Sequence, residues 1–365
     1  MKRTASPALH LVKRHVLVTG GCGFIGSHLA NALASRGEHV VVLDSLARKG
    51  SEENRAWLMQ RHRKMLAVEV ADIRDAEAVN SLASRAKAVL HLAGQVAVTT
   101  SMDQPKQDFD INAAGTLNVL EAVRRHNPQS PVIFASTNKV YGRILSEDSV
   151  MRQGCRYFPR DEQMAHGVRE DAPIDLYSPY GCSKGAADQY VRDYARMFGL
   201  RTAVLRMSCI YGPRQFGNED QGWIAHFLIQ AICGRPITIF GDGHQVRDAL
   251  FVDDAITAWL AALDRIDTIK GRIFNLGGGS ANAISLLELL ELMRGIFGRL
   301  PQVSHSAWRP GDQPWYVADI RAIAQALDWV PRTPIAEGLA KLQCWLVQRF
   351  GEAPQRDIRP IEAQA

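Results

Sequence analysis

Short apolar runs recur through the first half of the chain, separated by longer stretches in which apolar residues return every three or four positions. The runs Val16–Thr19, Val40–Asp44, Met65–Val70, Ala88–Leu92, Val132–Ala135 and Thr202–Arg206 are rich in β-branched residues, which predicts buried strands. The intervening spacing, as in Asn112–His126 and Lys184–Phe198, predicts helices with an apolar stripe. Strand and helix in strict turn predict an α/β chain with a doubly wound, mostly parallel sheet. Residues 143–176 break the rhythm. They are polar and carry Gly154, Pro159, Gly167 and Pro173, which reads as a substrate-facing loop or a disordered one. Beyond Arg206, aromatic, proline and glycine residues become denser and the elements shorter, which predicts a smaller lobe. No internal repeat or low-complexity segment interrupts the pattern.

The first apolar run leads into Thr19-Gly20-Gly-Cys-Gly23-Phe-Ile-Gly26-Ser and then a helical pattern. Strand, glycine turn and helix in this order make a dinucleotide cradle. Gly20 allows the turn, Gly23 lets backbone approach a pyrophosphate at the helix N-terminus, and Gly26 lets helix pack on strand. The second run ends in Asp44, placed to meet an adenosine ribose. A carboxylate there repels a 2′-phosphate and so favours NAD, whereas Arg48 and Lys49 would attract one. The layout expected is a flexible basic lead-in over 1–13, a Rossmann-type NAD-binding domain over 14–206, and a mainly substrate-binding lobe over 207–350. The layout allows some elements of that lobe to return to the first domain, and 351–365 forms a frayed tail.

With 365 residues, the chain is long enough for one or two domains. Its 46% hydrophobic and 22% charged content is that of a globular protein. The net charge of +5 is partly due to Lys2, Arg3, Lys13 and Arg14, and no basic face with interleaved aromatics suggests nucleic acid. Six scattered cysteines form no metal spacing, and the histidines form no ligand constellation, so no metal is expected. No apolar run is long enough for a membrane span and no signal peptide is evident, so a cytoplasmic location and no membrane partner are expected.

Tyr180 and Lys184 stand four apart, on one face of a helix. An ammonium beside a phenol favours the phenolate, making a proton acceptor for an alcohol under oxidation. Ser136-Thr137-Asn138-Lys139 ends the fifth strand, where the Thr137 hydroxyl either bonds the substrate oxygen or caps a helix. Asp72-Ile73 follows the third strand, where an acid can meet the adenine amino group. His91-Leu92-Ala93-Gly94-Gln95 ends the fourth, where small residues let a cofactor pass or simply pack. Asn112 reads mainly as a cap. Arg247 and Arg309, in separate loops, would clamp a diphosphate or form surface ion pairs.

Together these phrases resemble the extended short-chain dehydrogenase/reductase family, within it the nucleotide-sugar epimerases, and most closely those that invert C2 of CDP-linked sugars. The likeness spans about residues 14–348, through Thr-Gly-Gly-Cys-Gly-Phe-Ile-Gly-Ser, His-Leu-Ala-Gly-Gln, Ser-Thr-Asn-Lys-Val-Tyr-Gly, Ser-Pro-Tyr-Gly-Cys-Ser-Lys-Gly-Ala-Ala-Asp-Gln-Tyr and Gly-Pro-Arg-Gln-Phe. It implies that Tyr180 is the base, Lys184 its electrostatic partner and ribose contact, and Thr137 the hydrogen-bonding hydroxyl. It implies a retained NAD touching Phe24, Ile25, Ser45, Arg48, Leu92, Ala93 and Gln95 as well as the glycines, Asp44, Asp72 and Ile73. A nucleotide-diphosphate sugar would be oxidised at C2, turned over and re-reduced on its other face. Asn138, Ser208, Arg214, Gln215, Arg247 and Arg309 would hold it. Family dehydratases carry an Asp-Glu pair where this chain has Asn138-Lys139, so elimination is disfavoured. The chain departs from the C2-epimerase pattern at Arg206-Met207-Ser208-Cys209-Ile210, where Met207 stands in place of a histidine. That keeps open a 2- or 4-epimerase of a UDP- or GDP-hexose. A non-catalytic NAD sensor is the third reading, against which the complete Tyr180, Lys184 and Thr137 stand. A homodimer or homotetramer is expected.

Overall fold

The computed structural model describes residues 14–309 and 311–351; the expected lead-in and nearly all of the expected tail lie outside the described residues. The chain forms two compact units. Unit 1 runs to Ser136 and adds Pro179–Leu205 and Ile256–Ile273; unit 2 comprises Thr137–Ser178, Arg206–Ala255 and the chain from Phe274. Thr137–Ser178, expected within the first domain, thus groups with unit 2, and Ile256–Ile273 groups with unit 1.

The main sheet, most of it in unit 1, is built on strands β1 (His15–Thr19), β2 (Val40–Asp44), β3 (Leu66–Val70), β4 (Ala86–His91), β5 (Val132–Thr137), β6 (Thr202–Met207) and β7 (Arg272–Leu276). They form one sheet in the order β7-β6-β5-β4-β1-β2-β3, parallel in register from β3 to β5. Every residue of β1, β2 and β5 is buried, which is why these strands read as unbroken apolar runs rather than as alternation. The order reverses between β1 and β4, so their carboxyl ends flank a switch point, where such sheets bind ligands. Leu17, Val89, Val119, Val123, Phe134, Val191 and Val204 share one core between sheet and helices.

Three helices matter for the site: α1 (Phe24–Ser35), α2 (Gly115–His126) and α3 (Pro179–Phe198). The helix expected from Asn112 is not uniform. Asp110–Ala114 forms a π-helical turn and regular α2 starts only at Gly115. The last helix starts earlier than its apolar pattern, at Pro179, because proline suits a first helical position and apolar periodicity does not report it.

Unit 2 has its own sheet, with Val246–Phe251 antiparallel to Ala283–Ser285 and parallel to Trp315–Tyr316 and Cys209–Tyr211. Its core gathers Val140, Tyr141, Val168, Val246, Trp315 and Tyr316. The stretch over 143–176 is folded: Val150–Gln153 and Arg156–Pro159 form an antiparallel hairpin. Arg156 grips Glu288 through two bonds of 2.6 Å, and Glu288 completes a capping box with Ser285. These tertiary ties, absent from the local sequence, order a polar segment.

Candidate active site

Gly20 has φ +69°, and a Cβ placed there would lie 2.7 Å from the Ala93 backbone nitrogen. The turn after β1 and the end of β4 thus touch backbone to backbone, as only glycine permits. A Cβ on Gly26 would strike the Gly20 carbonyl, so α1 packs directly on the turn. Gly23 caps α1 with no side-chain bond, and no acid lies in its first turn, which leaves backbone N–H groups at a positive helix end. Asp44, at the end of β2, accepts from Cys22 N–H and Leu46 N–H at 2.8 Å each. Burial raises its carboxyl above the usual range, with these backbone bonds opposing. A carboxylate has about four lone-pair directions, so the fixed Asp44 keeps acceptor capacity for ribose hydroxyls. Burial of its head lowers the Arg48 guanidinium, and the Tyr180 phenol opposes that shift. These features fit a dinucleotide.

The end of β4 is held by a one-way chain of hydrogen bonds. Ala93 N–H donates to the Thr19 hydroxyl (3.2 Å), which donates to His91 Nδ1 (2.7 Å). His91 Nε2–H donates to the Thr116 hydroxyl (3.0 Å), which donates to the Asn112 carbonyl (2.5 Å). Thr116 has one proton and gives it to a carbonyl, so Nε2 must carry the imidazole hydrogen. Burial, and next the charge of Lys184, push His91 down to about 3, so it stays neutral.

Tyr180 and Lys184 lie in the first turns of α3, both buried. The Tyr180 N–H donates to the Ser101 hydroxyl (3.1 Å). Lys184 Nζ donates to the Ala135 carbonyl (2.6 Å) and lies 4.1 Å from the centre of the Phe134 ring. Burial lowers its pKa to about 7, with Asp188 and Asp108 opposing. Asn112 does more than cap. Its Oδ1 accepts from Gln95 N–H (2.9 Å), and its Nδ2 reaches Asp108 Oδ1 (3.1 Å) and the Ser183 hydroxyl (3.0 Å). Ser183 in turn donates to Asp108. Asp108 and Ser183 carry no periodic signal in the sequence: Asp108 is the one buried residue of the short helix Pro105–Phe109, and its partner Ser183 lies far along the chain.

Other expected contacts fall out differently. Arg74 forks onto Asp72, with Nε to Oδ1 at 2.9 Å and Nη2 to Oδ2 at 2.8 Å, so both oxygens already meet a cation. Ile73 packs where a Cβ on Gly115 would lie, 2.8 Å away, and its carbonyl accepts from Asn118 (3.1 Å).

In unit 2, Thr137 accepts from Lys139 N–H (3.2 Å), so the cap exists; Asn138 is buried beside it. Ser208 gives its hydroxyl to Asp248. Arg247 pairs with Asp312 at 2.5 Å. Lys139 lies 3.9 Å from the same carboxylate. Burial works to raise Asp312, but Arg247 and Lys139 outweigh it and hold it below its usual range. Arg309 donates to the Glu219 carbonyl (2.7 Å) and lies 3.8 Å above the Phe240 ring. Arg214 has φ +65°, and Gln215 is anchored by Nε2 to the Ile210 carbonyl (3.1 Å) with its Oε1 buried and unpartnered. Cys209 accepts from Trp223 Nε1 at 3.5 Å, and burial raises its thiol. Among the described residues no group of His, Cys, Asp and Glu could hold a metal ion. None of their helices is long and apolar enough to cross a membrane.

A glycine cradle at a sheet switch point, an acid ending β2 and a buried Tyr-Lys pair on one helix define a dinucleotide-dependent enzyme of the Rossmann class. The chain belongs to the NAD dependent epimerase/dehydratase family, whose model matches residues 16–277. It is 43% identical over 337 residues to CDP-paratose 2-epimerase of Salmonella typhi, covering 90% of this chain and 98% of that one. It is 32% identical over 326 residues to UDP-glucose 4-epimerase of Mycolicibacterium smegmatis, covering 89% and 96%. Among solved structures, UDP-glucose 4-epimerase of Thermus thermophilus in complex with NAD superposes with TM-score 0.76 at 32% identity, covering 91% of this chain and 98% of that one. UDP-glucuronic acid 4-epimerase of Bacillus cereus, with UDP-glucuronic acid and NAD, gives TM-score 0.79 at 28% identity, covering 92% and 100%. The fold expected from the sequence, the family resemblance and the NAD dependence are borne out.

Proposed function

We propose that the protein inverts C2 of a CDP-linked sugar, CDP-paratose or CDP-tyvelose, by transient oxidation to a 2-keto sugar and re-reduction. The observation that carries this reading is the 43% identity over almost the whole length of CDP-paratose 2-epimerase, with the tyrosine–lysine pair complete. Asn138-Lys139 agrees with it, since neither side chain replaces the carboxyl acid and carboxylate base of an elimination. NAD, when bound, accepts a hydride and returns it. Tyr180 takes the proton from the sugar hydroxyl and gives it back, and Lys184 steadies the phenolate and meets the cofactor ribose. Thr137 donates to the same sugar oxygen, beside Asn138. Gly20, Gly23, Phe24, Ile25, Gly26, Asp44, Ser45, Arg48, Ile73, Leu92, Ala93 and Gln95 bed the cofactor, while Asp72 acts with Arg74 attached. Arg247, Arg309, Arg214 and Gln215 hold the diphosphate. Ser208, its proton given to Asp248, offers its lone pairs to a sugar hydroxyl.

Incubation with CDP-paratose and with CDP-tyvelose, followed by proton NMR at C2, is expected to show inversion. No inversion with either overturns the reading. A UDP-sugar 4-epimerase is the second reading, favoured by Met207 and by the relatives that carry that name; turnover of UDP-sugars alone would establish it. The protein is further proposed to be a cytoplasmic homodimer or homotetramer. Phe109, Tyr190, Met197 and Phe198 are exposed on unit 1, an apolar surface that suits a second copy. Light scattering after size exclusion tests the assembly; a monomer at micromolar concentration refutes it.

A further inference from the structure

Asp108 is 1% exposed, and no step of the proposed reaction uses it. A buried carboxylate is costly unless hydrogen-bonded and matched by a cation. Its hydrogen-bond neighbours fix where the protons of Asn112 go. A carboxylate accepts and cannot donate. Ser183 has two acceptors in reach, Asp108 and the Tyr180 carbonyl (3.2 Å), so its single proton goes to one of them and it presents only lone pairs to Asn112. The two amide hydrogens of Asn112 go to Asp108 Oδ1 (3.1 Å) and to Ser183 Oγ (3.0 Å). Its Oδ1 is thereby forced to face Gln95 N–H at 2.9 Å. The same oxygen lies 2.9 Å from where a Cβ on Gly94 would stand, and Lys184 Nζ lies 3.8 Å from that point. Asp108 thus dictates the orientation of an amide that grips the loop at the end of β4, alongside the buried ammonium.

We propose that Asp108 is a positioning residue with two effects: through Asn112 it locks the Gly94–Gln95 backbone, and it supplies counter-charge to the Lys184 ammonium. This rests on the reading of Tyr180 and Lys184 as the proton-handling pair. The groups facing Lys184 are Asp188 on its own helix, bonded to Ser136 (2.7 Å) and Gln189 (2.8 Å); neutral His91 on β4; the Phe134 ring and Ala135 carbonyl on β5; and Asp108 from the helix Pro105–Phe109. Asp188 first, and Asp108 next, oppose the loss of the lysine proton that burial favours.

The test titrates Lys184 directly, in NAD-loaded protein with 13Cε-labelled lysine, the signal being assigned with Lys184→Met. Asp108→Asn is expected to lower the Lys184 midpoint by about one pH unit. It should also speed hydrogen exchange at Gln95, because a neutral amide replaces the charged acceptor and Ser183 must turn its proton to the Tyr180 carbonyl. Asp108→Ser, which removes the charge without adding an NH₂ group, gives the same reading if the amide variant does not fold. Asp110→Asn, in an exposed pair with Lys106, is expected to change neither. Asn112→Ala should speed exchange at Gln95 and leave the midpoint in place. An unshifted midpoint without the Asp108 carboxylate overturns the assignment. Because the titration needs no sugar, a protein that shows the shift but turns over no CDP-sugar loses the substrate reading and keeps this one.

Discussion

Lys184 carries a stability cost that can be measured apart from catalysis. Its pKa is lowered from 10.5 to about 7, chiefly by burial. At 1.36 kcal/mol per pH unit this corresponds to about 5 kcal/mol set against the ammonium in the folded state, an upper figure. Between pH 7 and 10.5 the unfolded chain binds more protons at this site than the folded one, so stability rises with pH across that window. Integrated from pH 7 to 9, the gain from this one group is about 2 kcal/mol. Lys184→Met abolishes the term and leaves the Ala135 carbonyl without its donor, a fixed loss of about 1 kcal/mol. Urea unfolding of both proteins at pH 7, 8 and 9 isolates the difference, because every other titrating group is shared. The stability of the methionine variant relative to wild type should fall by about 2 kcal/mol over this range. Curves that stay parallel within about 0.5 kcal/mol would mean that the lysine does not sit desolvated in the fold, and the tuned-pair account would fail.

Gly20→Ala forces a Cβ into a left-handed position costing about 1–2 kcal/mol and into the Ala93 backbone; NAD released on denaturing the purified protein should fall at least about tenfold, and a full complement would refute the cradle. Tyr180→Phe should lower kcat by about 10²–10⁴ while the bound NAD is unchanged, and near-normal turnover would remove Tyr180 as the base. His91, held neutral down to about 3 when folded, should cost about 2 kcal/mol of stability at pH 5 relative to pH 7, because the unfolded chain takes up a proton that the folded one refuses. That part of the slope should vanish in His91→Gln, and an unchanged slope would refute the assignment.

Much of unit 1 was legible because its strands are buried on both faces and bounded by glycine and acid. Val40–Asp44 matches residue for residue, and β5 runs only two residues past Ala135. What escaped was non-periodic. Asn112 reads as a cap because its partner Ser183 comes far along the chain and meets it only in the folded protein. Arg74 on Asp72 and Asp312 on Arg247 show the converse: a residue type suited to ligand contact was visible, but not the protein group that already faces it. The hairpin over 150–159 was hidden because its anchor, Glu288, is supplied by a helix that comes much later in the chain.

The chain leaves unit 1 after Ser136, returns at Pro179, leaves again after Leu205 and returns once more for Ile256–Ile273. During synthesis unit 1 therefore cannot complete its fold until most of the polypeptide has been made. For an engineer, neither half can be obtained by truncation. Exchanging unit 2 with that of a relative requires replacing three separate segments through five junctions, near 136, 179, 205, 256 and 273.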